Sequence, residues 1–64
     1  MKVTVNQKVH EITKDTTVRE LLTALKYKNA AVLVNDRKLL MSEYDTTRLR
    51  EQDEIKIIRI LGGG

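Results

Sequence analysis

TVRELLTALK, residues 17–26, carries the helical signal of this 64-residue sequence. Its apolar residues recur at i, i+3, i+4 and i+7, which places them on one face of an α-helix. They are Val18, Leu21, Leu22 and Leu25. Thr17 and Glu20 have the capping-box spacing, in which each side chain accepts from the backbone N–H of the other residue. The pattern predicts a helix from about residue 18 to about residue 26, with Arg19, Glu20 and Thr23 facing water.

Two short β-rich segments precede the helix, KVTVN at 2–6 and KVHEI at 8–12. Val3 and Val5 alternate with polar residues, and a tight turn at Asn6 and Gln7 joins the segments into a predicted β-hairpin. Val9 and Ile12 are three residues apart, so alternation fails in the second segment. A bulge or an early strand end is expected there.

Three more strands are predicted after the helix. AVLVND at 31–36 reads as a buried strand ending in a turn, because Asn35 and Asp36 both tolerate positive φ. RKLLM at 37–41 returns as a short strand, and Ser42 is expected to cap a brief helical turn through SEYD. Leu49 anchors a polar connection, and EIKIIRIL at 54–61 forms the last strand.

The element order is therefore β-β-α-β-β-β, an α+β arrangement. A lone amphipathic helix must bury its apolar stripe against one face of one sheet. The compact solution is a β-grasp: a mixed four- to five-stranded sheet packed on one helix, with the first and last strands adjacent and parallel. We expect one domain at 1–61 and a flexible tail at 62–64.

The outer face of the sheet is expected to carry apolar side chains. Consecutive strand residues point to opposite faces, so Leu39–Met41 and Ile57–Ile58 cannot all face the helix. Leu40, Ile58, Ile60 and Leu61 are the candidate residues of a surface that contacts another protein. The alternative is that these are scattered exposed aliphatics, which need no functional explanation.

Composition excludes several classes of function. The sequence has no cysteine, which excludes disulfides, thiolate catalysis and Cys-based metal sites. The net charge is +3 and the basic residues are dispersed among acidic ones, so nucleic-acid binding is not expected. With neither a signal peptide nor a span of about 20 apolar residues, we expect a cytoplasmic protein that does not bind membranes and is monomeric when free.

The sequence also gives little indication of a catalytic site. His10 and Ser42 are the only histidine and serine, and no oxyanion-hole signature accompanies them. A lone histidine makes a poor metal site, and the paired carboxylates read as solvated turn residues. We therefore expect that the chain is not an enzyme and binds neither a metal nor a cofactor.

The sequence ends in three glycines, Gly62, Gly63 and Gly64. Glycine loses the most conformational freedom on ordering and adds no apolar surface, so folding does not explain them. Three extended residues reach roughly 10 Å, and without Cβ atoms they can thread a narrow channel. With Gly64 as the carboxyl terminus, its carboxylate could enter the active site of another protein, and this chain would then be a substrate.

Over its whole length the chain resembles the ubiquitin-like sulfur carriers of the ThiS/MoaD family, and most nearly its thiamine-biosynthesis branch. The resemblance lies in the order of KVTVN, TTVRELLTAL, AVLVND, SEY and the ending LREQDEIKIIRILGGG. Two positions depart from it. Gln52 stands where members often have glycine, at a cost of about 1 kcal/mol if its φ is positive, and Tyr44 stands where a tryptophan is common.

The resemblance implies specific chemistry at Gly64. A ThiF-type adenylating enzyme would use ATP and Mg to convert the carboxylate to an acyl-adenylate, and a persulfide donor would supply sulfur to form a thiocarboxylate. Thiazole synthase ThiG or another synthase would accept that sulfur. Gly62 and Gly63 would keep the channel passable, while Leu40, Ile58, Ile60 and Leu61 would dock the partner.

Other functions with the same ending stay open. The chain could carry sulfur for molybdopterin, for tRNA thiolation or for cysteine synthesis. It could instead be a protein modifier that forms isopeptide bonds through Gly64. A plain interaction module with a frayed glycine end is the third possibility.

Overall fold

The computed structural model describes residues 1–60, which form five strands and one α-helix. Leu61 to Gly64, including the predicted tail at 62–64, lie outside the described residues. The elements in chain order are β1 (Lys2–Val5), β2 (Lys8–Glu11), α1 (Val18–Ala24), β3 (Ala30–Val34), β4 (Arg37–Lys38), a 3-10 turn (Met41–Glu43) and β5 (Glu54–Arg59).

The opening hairpin forms as predicted. Asn6 and Gln7 both have positive φ, 48° and 70°, which is the requirement of the two-residue hairpin turn that matches strand twist. β2 pairs with β1 residue for residue from Lys8 to Glu11, so the broken alternation marks an early strand end and not a bulge. Val3 and Val5 face the core and Val9 faces solvent.

The helix begins at the predicted residue and ends earlier than predicted. The capping box is confirmed: the backbone N–H of Glu20 donates to the Thr17 hydroxyl, and that of Thr17 donates to the Glu20 carboxylate at 2.8 Å. The bond from the Thr17 N–H lowers the pKa of Glu20 below its ordinary value of 4.5. The helical segment ends at Ala24 and Leu25 is the C-cap, because Lys26 has a φ of 64°.

The segment after β3 differs in part from expectation. Asn35 and Asp36 make the predicted turn with positive φ. The expected strand at 37–41 is shorter, because β4 stops at Lys38 and the 3-10 turn begins at Met41. The expectation that Ser42 caps this turn is wrong: Ser42 lies inside it, and the Glu43 carboxylate accepts from the backbone N–H of Leu40, the residue before the turn, at 2.8 Å.

The strand order is β2-β1-β5-β3-β4, so β5 lies at the centre of the sheet. β1 and β5 are parallel, while the β1–β2, β3–β4 and β3–β5 pairs are antiparallel. This mixed sheet confirms the predicted β-grasp, in which the first and last strands are neighbours.

One face of the sheet packs on α1 to form the core. Fully burying an aliphatic side chain contributes about 1.5–3 kcal/mol, so this cluster is the main source of stability. Its members are Val3, Val5, Val18, Leu21, Leu22, Ala30, Val32, Leu39, Tyr44, Leu49, Ile55 and Ile57. All four residues of the predicted helical stripe reach this core, Leu25 only in part.

Candidate functional site

The described part of the predicted site is exposed on the sheet face opposite the helix. Leu40, Ile58 and Ile60 are 67%, 56% and 51% exposed, respectively. Their neighbours Leu39 and Ile57 are buried at 3% and 6%. The expectation that Leu39–Met41 and Ile57–Ile58 divide between the two faces is therefore confirmed. Leu61 and the three glycines lie outside the described residues.

Strand register brings the exposed residues together. Ile58 pairs with Ala31 across the β3–β5 ladder. The β3–β4 ladder pairs Leu33 with Lys38, and one step further the Leu39 N–H donates to Val32 O at 3.0 Å. The same register places the next residue, Leu40, beside Ala31. Ala31 and Ile58 thus lie side by side on β3 and β5, and Leu40, which follows β4, lies next to Ala31 to complete an apolar row. With Ile60, two residues further along the same face, they make up the outer patch.

Lysines border the outer patch on the same face. Leu33 lies between Lys56 on β5 and Lys38 on β4. Lys56 also reaches the Asp36 carboxylate at 3.4 Å, an exposed pair that contributes little to stability. An apolar centre with a charged rim has the anatomy of a protein-binding surface.

An asparagine holds β5 just beyond the point where its pairing with β1 ends. The parallel pairing of β1 with β5 ends at Val5 and Ile55. Beyond it, the Asn6 side-chain amide accepts from the Ile57 N–H at 2.9 Å and donates to the Ile57 carbonyl at 3.2 Å. The amide thus takes the place of a further strand residue. Sequence reasoning assigned Asn6 only to the hairpin turn, and no local signal links it to a residue 51 positions away.

His10 and Ser42 are not placed to act together. His10 lies on β2 and Ser42 follows β4, which are the two edges of the five-stranded sheet. Four strand spacings separate the edges by roughly 19 Å, far beyond hydrogen-bond reach. Among residues 1–60, no group of three or more His, Cys, Asp and Glu side chains could hold a metal ion. No helix in the described range is long and apolar enough to cross a membrane.

A mixed sheet wrapped on one helix, with its central last strand leading toward the carboxyl end beside an exposed apolar patch, defines the class of ubiquitin-like β-grasp proteins. The chain belongs to the ThiS family, whose model matches residues 3–64. This membership confirms the resemblance to ThiS-type ubiquitin-like sulfur carriers drawn from the sequence.

Two solved structures are similar to the chain over its full length. The crystal structure of the thiamine biosynthesis protein ThiS from Geobacter metallireducens is 30% identical, with a TM-score of 0.85 and 100% coverage of both chains. The NMR solution structure of a thiamine biosynthesis protein from that organism is 30% identical, with a TM-score of 0.81, and the match covers 100% of this chain and 88% of that one. None of the curated proteins matches the chain significantly in sequence.

Proposed function

We propose that the chain is a sulfur carrier for thiamine biosynthesis, and that Gly64 is the residue that carries the sulfur. The observation that supports this most is the family match, which runs through residue 64 and so includes the three glycines. The similar structures are of thiamine biosynthesis proteins, which favours this pathway over the other sulfur-accepting pathways. The chain is then a protein substrate of partner enzymes and not an enzyme itself.

The chemistry begins with activation of an unreactive group. A carboxylate oxygen of Gly64 attacks the α-phosphate of ATP on a ThiF-type adenylating enzyme, and pyrophosphate leaves as Mg neutralises its charge. The acyl-adenylate is a mixed anhydride, so its carbonyl carbon is a good electrophile. A persulfide sulfur attacks that carbon, the C–S bond forms, and AMP leaves.

The carrier then becomes a nucleophile. A thiol attacks the donor-side sulfur of the acyl disulfide, so that a new disulfide forms with the donor and the thiocarboxylate on Gly64 is released. The thiocarboxylate sulfur attacks the acceptor held by ThiG or another sulfur-accepting synthase. The chain supplies position and access in these steps: its last residues carry no Cβ atoms that would block a narrow channel, and its outer patch docks the enzyme.

Docking through the outer patch explains why apolar residues stay exposed there. Ile58 and Ile60 precede the terminal residues by only a few positions, so an enzyme that grips the outer patch also fixes the point from which the tail starts. From Leu61 to Gly64 the chain can span roughly 14 Å. That length suits a recessed active site, and Gly62 and Gly63 would occupy the channel that leads to it.

The test compares the full chain with two variants in ATP–pyrophosphate exchange catalysed by a ThiF-type enzyme. Removal of Gly63 and Gly64 should abolish exchange, and Gly63→Ala should reduce it steeply, because both change the threaded segment. Thermal unfolding of both variants should match that of the full chain. Exchange that survives the truncation would contradict the proposal, and covalent attachment of Gly64 to lysines of other proteins would point to a modifier instead.

A further inference from the structure

The end of β5 borders a second surface, beside the connection that joins α1 to β3. A shallow groove lies where the helix, the start of β3 and the last described residues meet. It is lined by Lys26, Tyr27, Lys28, Asn29, Arg59 and Ile60, and we refer to it as the basic groove. Three of its six lining residues are cationic and none is acidic.

The basic groove carries positive charge that the described chain does not neutralise. The ion pairs within residues 1–60 are Arg19–Asp45, Arg37–Glu43 and Lys56–Asp36, and all three lie elsewhere. A larger groove elsewhere on the chain differs in its charges, because there Lys14 is accompanied by the carboxylates of Glu11, Asp15 and Glu20. The basic groove is thus a local concentration of charge in a chain whose charges are otherwise interspersed.

The turn that carries Lys26 is built at a conformational cost. The Lys26 N–H donates to Thr23 O at 3.1 Å and the Tyr27 N–H donates to Leu22 O at 2.9 Å, which is the Schellman pattern at the end of a helix. Lys26 occupies the left-handed position of this motif, with a φ of 64°, where glycine is usual. A non-glycine residue at this position lowers the free energy of unfolding by about 1 kcal/mol relative to glycine. Stability alone therefore favours glycine here.

Arg59 is held in place at the opposite wall of the groove. It follows Ile55 and Ile57 on the inner side of β5, and its guanidinium lies 5.0 Å from the centroid of the Tyr27 ring. Tyr27 is half-buried and packs against the core. The cation–π contact restrains the side chain while leaving guanidinium N–H groups free to bind a carboxylate, which reduces the entropy lost on binding.

We propose that the basic groove docks an acidic segment of the adenylating enzyme at the mouth of the channel that receives the tail. Ile60 lines this groove and also belongs to the outer patch, so the two surfaces meet at the residue from which the tail starts. An enzyme that holds the tail therefore contacts the basic groove as well. This inference rests on the proposed function and adds charge recognition to it.

The position of the groove favours a protein carboxylate over the phosphates of ATP. Gly64 lies five positions beyond Arg59, and in a threaded tail these five steps span roughly 17 Å. The nucleotide must lie at the Gly64 carboxylate, so Arg59 remains near the channel mouth. Arginine and lysine at such a rim bind Asp and Glu side chains and accelerate encounter at low salt.

The test uses the kinetics of ATP–pyrophosphate exchange with a ThiF-type enzyme and this chain as the varied substrate. Lys26→Gly and Lys28→Glu should each raise KM for the chain about three- to tenfold, as expected for loss of interfacial charge pairs, and leave kcat within about twofold. The KM of the unaltered chain should also rise with NaCl more steeply than that of the variants. Lys14→Glu is the control for Lys28→Glu, because it makes the same charge change on a groove that lies at the far end of β5, beside Met1 and Glu51.

Lys26→Gly separates recognition from folding. It should raise the melting temperature, since it removes the left-handed strain, and still weaken binding. Arg59→Gln is a second variant, which removes the positive charge and keeps a shorter polar side chain at this position.

The outcomes divide cleanly. If the unaltered chain supports exchange but the three groove variants behave like Lys14→Glu, the inference is wrong and the proposed function stands. If the variants change KM for ATP in place of KM for the chain, the groove faces the nucleotide and the inference is again wrong. If the unaltered chain supports no exchange, the proposed function fails and this inference fails with it.

Discussion

The Tyr44 hydroxyl donates a hydrogen bond to the Ala30 carbonyl at 2.9 Å inside the core. β4 has already ended at this point, and the last backbone hydrogen bond from the segment after it to β3 runs from the Leu39 N–H to Val32 O. The Tyr44 hydroxyl therefore donates to the Ala30 carbonyl in place of a backbone N–H that a longer β4 would have supplied. It joins the end of the 3-10 turn to the start of β3, the strand that contributes Ala31 to the outer patch.

Tyr44→Phe should destabilise the fold by about 1–2 kcal/mol, because the buried Ala30 carbonyl loses its partner while the ring stays in place. The measurement is urea denaturation followed by circular dichroism. Tyr27→Phe is the matched control: it removes a hydroxyl from a half-buried ring and should leave stability nearly unchanged. Equal losses in the two variants would contradict the role assigned to the Tyr44 hydroxyl.

Gln52→Gly should stabilise the chain by about 0.5–1 kcal/mol. Gln52 has a φ of 67°, which confirms the unfavourable turn conformation expected from its departure from the family pattern. Glycine adopts this conformation freely and can keep the 2.7 Å backbone hydrogen bond to Lys2 O. Ala24→Gly, at an exposed helical position, should have the opposite effect and cost roughly 1 kcal/mol. A lower urea midpoint for Gln52→Gly than for the unaltered chain would contradict this prediction, because the Gln52 side chain would then stabilise the fold by more than its positive φ destabilises it.

Ile58→Glu should weaken docking without unfolding the protein. Ile58 is 56% exposed, so charge is tolerated in the free chain, whereas a bound partner would have to bury it. We expect KM for adenylation to rise about tenfold or more, the equivalent of losing one buried aliphatic contact.

The control for this prediction is Val9→Glu. Val9 is 69% exposed on the same outer face, but it lies on β2, two strands away from β5. It undergoes the same apolar-to-acidic change and should leave KM unaltered. If both variants bind equally well, the outer patch is not the docking surface.

Acidic pH should destabilise the N-terminal end of α1, because protonation of Glu20 weakens its hydrogen bonds with Thr17. The pKa of Glu20 is lowered in the folded chain. Its contribution to the free energy of unfolding is therefore fully present above its ordinary pKa of 4.5 and is lost as pH falls through the lower pKa of the folded state. Glu20→Gln keeps an oxygen that can accept from Thr17 but does not titrate. The melting temperature of this variant should therefore fall less between pH 5 and pH 2 than that of the unaltered chain, and parallel curves would contradict the assignment.

Most of the fold could be predicted from local sequence patterns. The helical period at 17–26 and the alternation at 2–6 identified the elements, and positive φ at Asn6, Gln7, Asn35 and Asp36 agrees with the turn chemistry of their sequences. The fold class followed because a single helix has only one sheet face on which to bury its stripe.

The features that sequence reasoning missed are long-range or break a local preference. Asn6 bonds to Ile57 across 51 residues, and Arg59 meets Tyr27 from a different element. The helix end was misplaced because Lys26 adopts a conformation for which glycine is the usual signal. Ser42 was assigned a cap because of its residue type, whereas the Glu43 carboxylate satisfies the backbone N–H of Leu40.

The measurement that tests the central claim most directly is the intact mass of the chain after incubation with a ThiF-type enzyme, ATP, Mg and a persulfide sulfur source. We predict a mass increase equal to the exchange of one oxygen for one sulfur, located by fragmentation at Gly64 and absent when ATP is left out. An unchanged mass with an enzyme that adenylates the chain, or sulfur located at any other residue, would contradict the account.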